Sequence, residues 1–115
     1  MEDYLEMIYR SIKKNQSIKV KELANKLNVK PSSVSKMANR LKDLNLIKFE
    51  KYSEIFLSDD GINLGKYLLW RHNTLTTFFI KLNKENYKLE QVEKIEHFID
   101  YDTLINLEKI TKLID

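Results

Sequence analysis

The sequence predicts a mainly α-helical fold that contains one small β-hairpin. Two early segments, residues 20–27 and 31–44, carry apolar residues at helical spacing. Directly after them, residues 46–58 lose the helical period and take on the pattern of two short strands. Residues 59–82 then form the longest segment with a helical period. The predicted fold class is based on this order of a helix pair, a hairpin and a long helix.

The first three helices follow from apolar spacing and from one proline. We predict the first helix over residues 2–15, where the recurring apolar residues are Tyr4, Leu5, Ile8, Tyr9 and Ile12. A short connector at residues 28–30 separates the second helix from the third. Pro31 begins the third helix, because its fixed φ angle suits a first helical turn. We expect this helix to continue to about Leu44 and to bury Val34, Met37, Ala38 and Leu41.

The hairpin and the remaining helices complete the chain. Two strands, residues 46–52 and 55–58, are joined by a turn at residues 53–54. Ser58 or Asp59 can cap the long helix that follows, which we extend to about Leu82. After a polar break, two more helices are predicted over residues 89–99 and 101–114. The long helix and the last helix have more apolar surface than one small domain covers, which favours a homodimer.

Three helices followed by a β-hairpin describe a winged helix-turn-helix, in which the third helix lies in the major groove of DNA. We therefore expect a DNA-binding domain of this type over residues 1–58. A connecting helix over residues 59–82 and an α-helical dimerisation region over residues 83–115 follow it. The last region is also where we expect metal binding, for the reasons given below.

Composition excludes several classes of protein. The chain has no cysteine, so disulfides and thiolate metal sites are excluded. No apolar run approaches the roughly 20 residues that span a bilayer, and the acidic start does not suit a signal peptide, so we expect a cytoplasmic protein. The net charge of +3 is too small to predict nucleic-acid binding by itself. However, residues 19–51 contain nine basic and only three acidic residues, whereas the last thirty or so residues contain more acidic than basic ones.

The outward side of the third helix suits contacts with DNA. Hydroxyl, amide and cationic side chains can bond to base edges and phosphates, and this side carries Ser32, Ser33, Ser35, Lys36, Asn39 and Arg40. In the hairpin, Lys51 and Tyr52 are further candidates for phosphate contacts, whereas Glu54 at its tip repels phosphate. Polar residues are common on any solvated helix, and a plain surface helix is the alternative. The hairpin and the local basic excess favour DNA binding.

Both histidines belong to a candidate metal site. Glu93, Glu96 and His97 are three and four positions apart, so on a helix they share one face. Three other candidate ligands are Asp3, Glu6 and His72. Each candidate also has an ordinary explanation. Acids in a first helical turn interact favourably with the helix dipole. Solvated acidic helix faces are common, and so are histidines that only form hydrogen bonds. As a set, four carboxylates and two imidazoles suit a hard divalent ion such as Mn(II).

Several segments resemble the manganese transport regulators, a branch of the diphtheria-toxin-repressor family. The similar segments are residues 1–4, 31–37, 50–52, 67–72 and 92–97. The resemblance implies a cytoplasmic homodimeric repressor that binds operator DNA when Mn(II) is bound and controls manganese homeostasis. It implies two Mn(II) ions per subunit and assigns ligand roles to Asp3, Glu6, His72, Glu93, Glu96 and His97. We expect the manganese branch, without the SH3-like third domain of the iron-responsive branch.

Other functions remain open at this stage. A winged-helix regulator that responds to Fe(II) or to an organic ligand would have much the same sequence. A metal-dependent hydrolase could also use carboxylates and histidines around two ions to activate water, although the basic third helix would then have no role. A structural dimerisation module is a further alternative, and it gives neither histidine a purpose.

Overall fold

The computed structural model describes residues 1–12, 16–50 and 54–114. In these residues the chain forms six α-helices and one small antiparallel sheet, which confirms the predicted mainly helical fold. The chain divides into a first unit, Met1–Leu68, and a second unit, Leu69–Asp115. The division lies inside the longest helix.

The first unit contains the elements of a winged helix-turn-helix. In chain order these are α1 (Glu2–Ser11), β1 (Ile18–Lys19), α2 (Val20–Leu27), α3 (Pro31–Asp43), β2 (Ile47–Glu50), β3 (Glu54–Leu57) and the start of α4 (Asp59–Asn83). Helices α2 and α3 match their predicted ranges. The prediction for α1 was too long, because Ile12 already has extended backbone angles and packs against the core. Residues 13–15, which it also included, lie outside the described part of the chain.

The sheet has one strand that the sequence did not predict. Its order is β1-β3-β2, so the short strand β1 is added to the predicted hairpin of β2 and β3. Ile18 of β1 is paired with Ile55 of β3, and both side chains are fully buried. A strand of two residues is too short to show an alternating pattern. The apolar residue Ile18 is the sequence signal that could have indicated this strand.

Two asparagines set the direction of the chain around α3. Asn28 ends α2 in the left-handed conformation, with φ 55° and ψ 49°, and asparagine adopts this conformation more readily than most residues. Asn45 ends α3 with φ 61°, and the next amide, of Leu46, donates a hydrogen bond of 3.0 Å to the carbonyl of Leu41. The two turns fix where α3 begins and ends relative to α2 and β2.

Ser58 connects the end of α3 to the start of α4. Its hydroxyl donates a hydrogen bond of 2.7 Å to the carbonyl oxygen of Asn45 and accepts one of 3.0 Å from the amide of Gly61. The second bond is the N-cap interaction that the sequence predicted for Ser58 or Asp59. One side chain therefore links the turn after α3 to the first turn of α4.

The core of the first unit joins its helices to its sheet. Fully buried residues at its centre are Leu5, Ile8, Leu23, Val34, Leu41, Ile55 and Leu68. Of the four α3 residues predicted to be buried, Val34, Ala38 and Leu41 are buried and Met37 is partly buried against the core, which leaves the opposite side of this helix exposed.

The second unit consists of the rest of α4 and two shorter helices, α5 (Leu89–Ile95) and α6 (Tyr101–Thr111). The predicted ends at residues 99 and 114 were too late. Helix α5 gives way to a single 3-10 turn, Glu96–Phe98, and Asp100 then caps α6 by accepting a hydrogen bond of 2.8 Å from the amide of Thr103. Hydrogen bonds from the Thr103 side chain and from the Thr103 amide lower the pKa of the Asp100 carboxyl. This cap, two residues after the end of the turn, starts a new helix.

Contacts within the second unit hold α6 against α4. The indole nitrogen of Trp70 donates a hydrogen bond of 2.9 Å to Glu108, and the Trp70 ring lies 5.7 Å from the Tyr101 ring. Leu75, Val92 and Leu104, one from each helix, are fully buried.

Even α4, at 25 residues, lacks the apolar length to cross a membrane, and this holds for every helix among the described residues.

Helix α4 lies close to α1 at Gly65. A Cβ atom at this position would lie 2.7 Å from both Cβ and Cγ of Tyr9, well inside van der Waals distance. Because these atoms are close to the backbone of α1, they have little freedom to move away. The absence of a side chain at residue 65 therefore sets the distance between the two helices.

We predict that Gly65→Ala destabilises the protein by about 1–3 kcal/mol, the usual cost of overpacking a core. Alanine in place of glycine normally stabilises a helix interior by about 0.5–1 kcal/mol, so the contact with Tyr9 reverses the sign. Urea denaturation measures the effect. Lys66→Ala, at the exposed neighbouring position, is the control and should change stability by less than about 0.5 kcal/mol. Unchanged or increased stability of Gly65→Ala would contradict this packing.

Candidate metal centre and DNA-binding face

The predicted DNA-contacting residues of α3 lie on its outer side. Val34 and Ala38 are buried at 0% and 1% exposure and anchor the inner side of the helix. The outer positions are Ser32, Ser33, Lys36, Asn39 and Arg40, all exposed, with Ser35 partly buried. The hydroxyls, amide and cations that the sequence singled out therefore form one accessible surface, which we call the α3 face.

The charge distribution of α3 favours an anionic partner. Its first turn contains no acidic residue, so the partial positive charge of the helix N-terminus is not offset there. Lys30 directly precedes the helix, and Arg40 and Lys42 lie in its last turn. Both ends of the α3 face thus carry positive charge.

Only part of the predicted wing lies in the described residues. Lys48 is exposed on β2. Lys51 and Tyr52, the two predicted wing contacts, lie outside the described residues. Glu54, at the start of β3, is paired in register with Lys19 on β1 and with Glu50 on β2, so it has one basic and one acidic neighbour across the strands.

Two candidate metal ligands belong to the first unit. Asp3 is exposed in the first turn of α1, and Glu6 lies one turn later on the same helix. A carboxylate oxygen of Glu6 forms an ion pair of 2.7 Å with the guanidinium of Arg10. Because the two acids are three positions apart, they share one side of α1.

Two other candidates form a buried pair in the second unit. Nδ1 of His72, on α4, lies 2.8 Å from Oε2 of Glu96, in the turn after α5. The Glu96 side chain is only 6% exposed and that of His72 is 17% exposed. Burying a carboxylate is costly unless hydrogen bonds or a cation compensate its charge. Glu96 is therefore an acid whose position requires positively charged or donating neighbours.

Glu93 and His97 are the other two candidate ligands of the second unit. The sequence predicted that Glu93, Glu96 and His97 share one face of a regular helix, but α5 ends at Ile95 and the 3-10 turn rotates the last two residues. Glu96 is buried as a result, whereas Glu93 and His97 are exposed. One ligand atom of Glu96 and one of His97 still lie within 4.8 Å of each other.

Sequence reasoning missed Arg71 at this site. Its guanidinium Nη2 lies 3.4 Å from Nδ1 of His97, and the residue is only 4% exposed. Position 71 precedes a predicted ligand, His72, and an arginine at a buried helical position was the available signal. The second unit thus combines two histidines, a buried acid and a buried cation within one cluster.

The chain is similar to known transcriptional regulators. Residues 1–55 match the family described as iron dependent repressor, N-terminal DNA binding domain. An uncharacterized HTH-type transcriptional regulator of Methanocaldococcus jannaschii is 39% identical over 110 residues, which cover 93% of this chain and 88% of that protein. The HTH-type transcriptional regulator MntR of Shouchella clausii is 36% identical over 105 residues, 90% of this chain and 73% of that protein.

A solved structure supports the same relationship. The structure of the manganese regulator SloR is 28% identical in sequence and has a TM-score of 0.76. The match covers 96% of this chain and 53% of that one, so the chain spans about half the length of the solved relative. With its winged helix-turn-helix elements and these similarities, the chain belongs to the MntR branch of the diphtheria-toxin-repressor family of transcriptional regulators.

Proposed function

We propose that this protein is a cytoplasmic transcriptional repressor that binds operator DNA as a homodimer when Mn(II) is bound, and that it thereby controls manganese homeostasis. The observation that carries the metal assignment is the buried Glu96 carboxylate, 2.8 Å from the His72 ring. The α3 face supplies the surface for DNA. The names of the relatives, MntR and a manganese regulator, support the same function.

The proposed ligands are the six residues that the sequence singled out: Asp3, Glu6, His72, Glu93, Glu96 and His97. We propose two ions per subunit. The donors of the second unit fit a hard divalent ion, because they are oxygen and nitrogen atoms only and one of them, Glu96, is a buried acid that needs positive charge nearby. When bound, the metal supplies that charge.

The choice of manganese follows from coordination chemistry. Mn(II) is the weakest binder in the divalent series, so a protein selects it by hard ligands and geometry rather than by affinity. A set of four carboxylates and two imidazoles meets this requirement. Fe(II) has similar preferences and is the nearest alternative, whereas an organic ligand would leave the buried Glu96 without its cation.

Coupling between metal and DNA arises from where the ligands lie in the chain. Asp3 and Glu6 belong to the first unit, which carries the α3 face, and the other four belong to the second. If the ligands of both units bind the same ions, the bound metal neutralises the carboxylate charges and restricts the motion of the first unit. Without metal, repulsion between the carboxylates leaves that unit unrestricted. In the homodimer, the restricted state is the one that places two α3 helices in successive major grooves, roughly 34–36 Å apart.

The second unit has apolar surface suited to a homodimer interface. Phe98 is 86% exposed and Leu113 is 83% exposed, and several large apolar side chains nearby in sequence are about half exposed: Ile80, Leu82, Leu89, Tyr101 and Ile110. Exposed apolar surface on this scale favours association. Five of these seven residues lie in the predicted dimerisation region, residues 83–115, which supports the proposed homodimer.

The enzymatic alternative has no support. The relatives are named transcriptional regulators, and the matching domain is a DNA-binding domain of repressors. The chain is therefore a regulator and not a metal-dependent hydrolase.

We predict that Glu96→Ala weakens Mn(II) binding by at least about 100-fold, because loss of an outer partner of a metal ligand alone costs roughly 10–100-fold. Mn(II)-dependent operator binding should disappear, while the sedimentation behaviour of the dimer is unchanged. Glu90→Ala is the matched control, since Glu90 is 74% exposed and pairs with Lys94 on the surface. An unaltered Mn(II) response in Glu96→Ala would exclude Glu96 as a ligand.

We predict that Arg40→Ala weakens operator binding and reduces the slope of log K against log salt by about one, the value for one lost phosphate contact. Fluorescence anisotropy with labelled operator DNA, over a range of salt concentrations, measures both quantities. Lys109→Ala, which removes an exposed cation from α6, is the control. If affinity and slope stay at the wild-type values, Arg40 does not contact DNA.

We predict that calorimetric titration finds two Mn(II) ions per subunit. Zn(II) should bind more tightly but restore operator binding less fully, because it accepts fewer ligands and leaves part of the set uncoordinated. Operator binding at saturating Mn(II), Fe(II) and Zn(II) provides the comparison. Equal activation by Zn(II) and Mn(II) would contradict selection by geometry.

A further inference from the structure

Arg71 is a buried cation among the proposed ligands, and the proposed function gives it no role. It directly precedes His72 on α4, is 4% exposed, and lies with its Nη2 atom 3.4 Å from Nδ1 of His97. A guanidinium stays charged in any protein environment. The cluster that we propose for a divalent cation therefore already contains a permanent positive charge.

The contact with Arg71 determines the state of the His97 ring. A guanidinium has only hydrogen-bond donors, so Nδ1 of His97 is the acceptor in this contact. A neutral imidazole that accepts at Nδ1 carries its proton on Nε2. Neither ring nitrogen of His97 then has a lone pair available for an ion.

The His72 ring is in the opposite state. Its Nδ1 lies 2.8 Å from a carboxylate oxygen of Glu96, and an ionised carboxylate only accepts hydrogen bonds. Nδ1 of His72 therefore carries the proton, and Nε2 keeps its lone pair, as in the carboxylate-histidine pairs that orient metal ligands. Of the two histidines in the cluster, His72 is prepared for a metal and His97 is not.

We infer that Arg71 competes with a divalent ion for the ligand cluster of the second unit. It occupies Nδ1 of His97, places a positive charge beside a proposed ligand, and has to leave His97 before that ring can act as a ligand. This inference rests on the proposed function, because it assumes that His97 binds the metal. Arg71 is thus a positioning residue that lowers metal affinity and sets the ion concentration at which the protein responds.

Arg10 provides a matched comparison in the first unit. Its guanidinium forms an ion pair of 2.7 Å with Glu6, another proposed ligand, but its side chain is 37% exposed. Solvent-exposed ion pairs contribute little free energy. The same substitution at Arg10 and at Arg71 therefore compares an exposed and a buried arginine beside proposed ligands.

Calorimetric titration with Mn(II) tests the inference on the full chain. Arg71→Gln should bind Mn(II) about tenfold or more tightly, because it removes a poorly hydrated positive charge from the cluster. Arg71→Lys, which keeps the charge, should stay within about threefold of wild type, and Arg10→Gln within about twofold. Circular dichroism establishes that each variant is folded.

The tautomer of His97 gives a second readout that needs no variant and no metal. Nitrogen-15 chemical shifts of the imidazole in the metal-free wild type should show His97 protonated at Nε2 and His72 protonated at Nδ1. The opposite tautomer for His97 would overturn the inference even if Arg71→Gln failed to fold.

The two failures are distinguishable. If the wild type binds Mn(II) but Arg71→Gln binds it equally or more weakly, Arg71 is a structural residue and the proposed function stands. If the wild type binds no Mn(II), the proposed function is wrong and the inference is wrong with it.

Discussion

The negative charge of Glu96 is the constraint on which the second unit depends. The side chain is 6% exposed, and it reached that position because α5 ends one residue earlier and the chain continues as a 3-10 turn. A carboxylate in such a place must be compensated, and the His72 ring, whose Nδ1 lies 2.8 Å away, donates a hydrogen bond to it. The chain thus buries the Glu96 carboxylate, which is unfavourable by itself, at the position where we propose that a cation binds.

The structure of the first unit holds the outer face of α3 toward solvent in a fixed orientation. Asn28 and Asn45 provide the left-handed turns at the two ends of the region, and Ser58 links the second turn to α4. Fully buried Val34 and Leu41 then keep the inner side of α3 in the core. The polar outer side of α3 is consequently exposed, in an orientation that these turns and buried residues fix.

The sequence predicted those features that repeat or that have a strong local signal. Helices α2 and α3 have clear apolar periods, and Pro31 and Ser58 mark helix starts through their own chemistry. Strand β1 was missed because two residues have no period, and the end of α5 was missed because Asp100, the cap of α6, competes with continuation of the helix. The candidate ligands came from residue types and from family resemblance, whereas Arg71 was missed because its role depends on a contact with His97, 26 residues further along the chain.

The hydrogen bond between Trp70 and Glu108 has a practical consequence. Trp70 is the single tryptophan of the chain, it lies two residues before His72, and its indole N–H is bonded to α6. Its ring also stacks at a tilt near Tyr101. The intrinsic fluorescence of this protein therefore comes from one ring at the junction of α4 and α6, which makes it a natural optical reporter of the second unit that needs no attached dye.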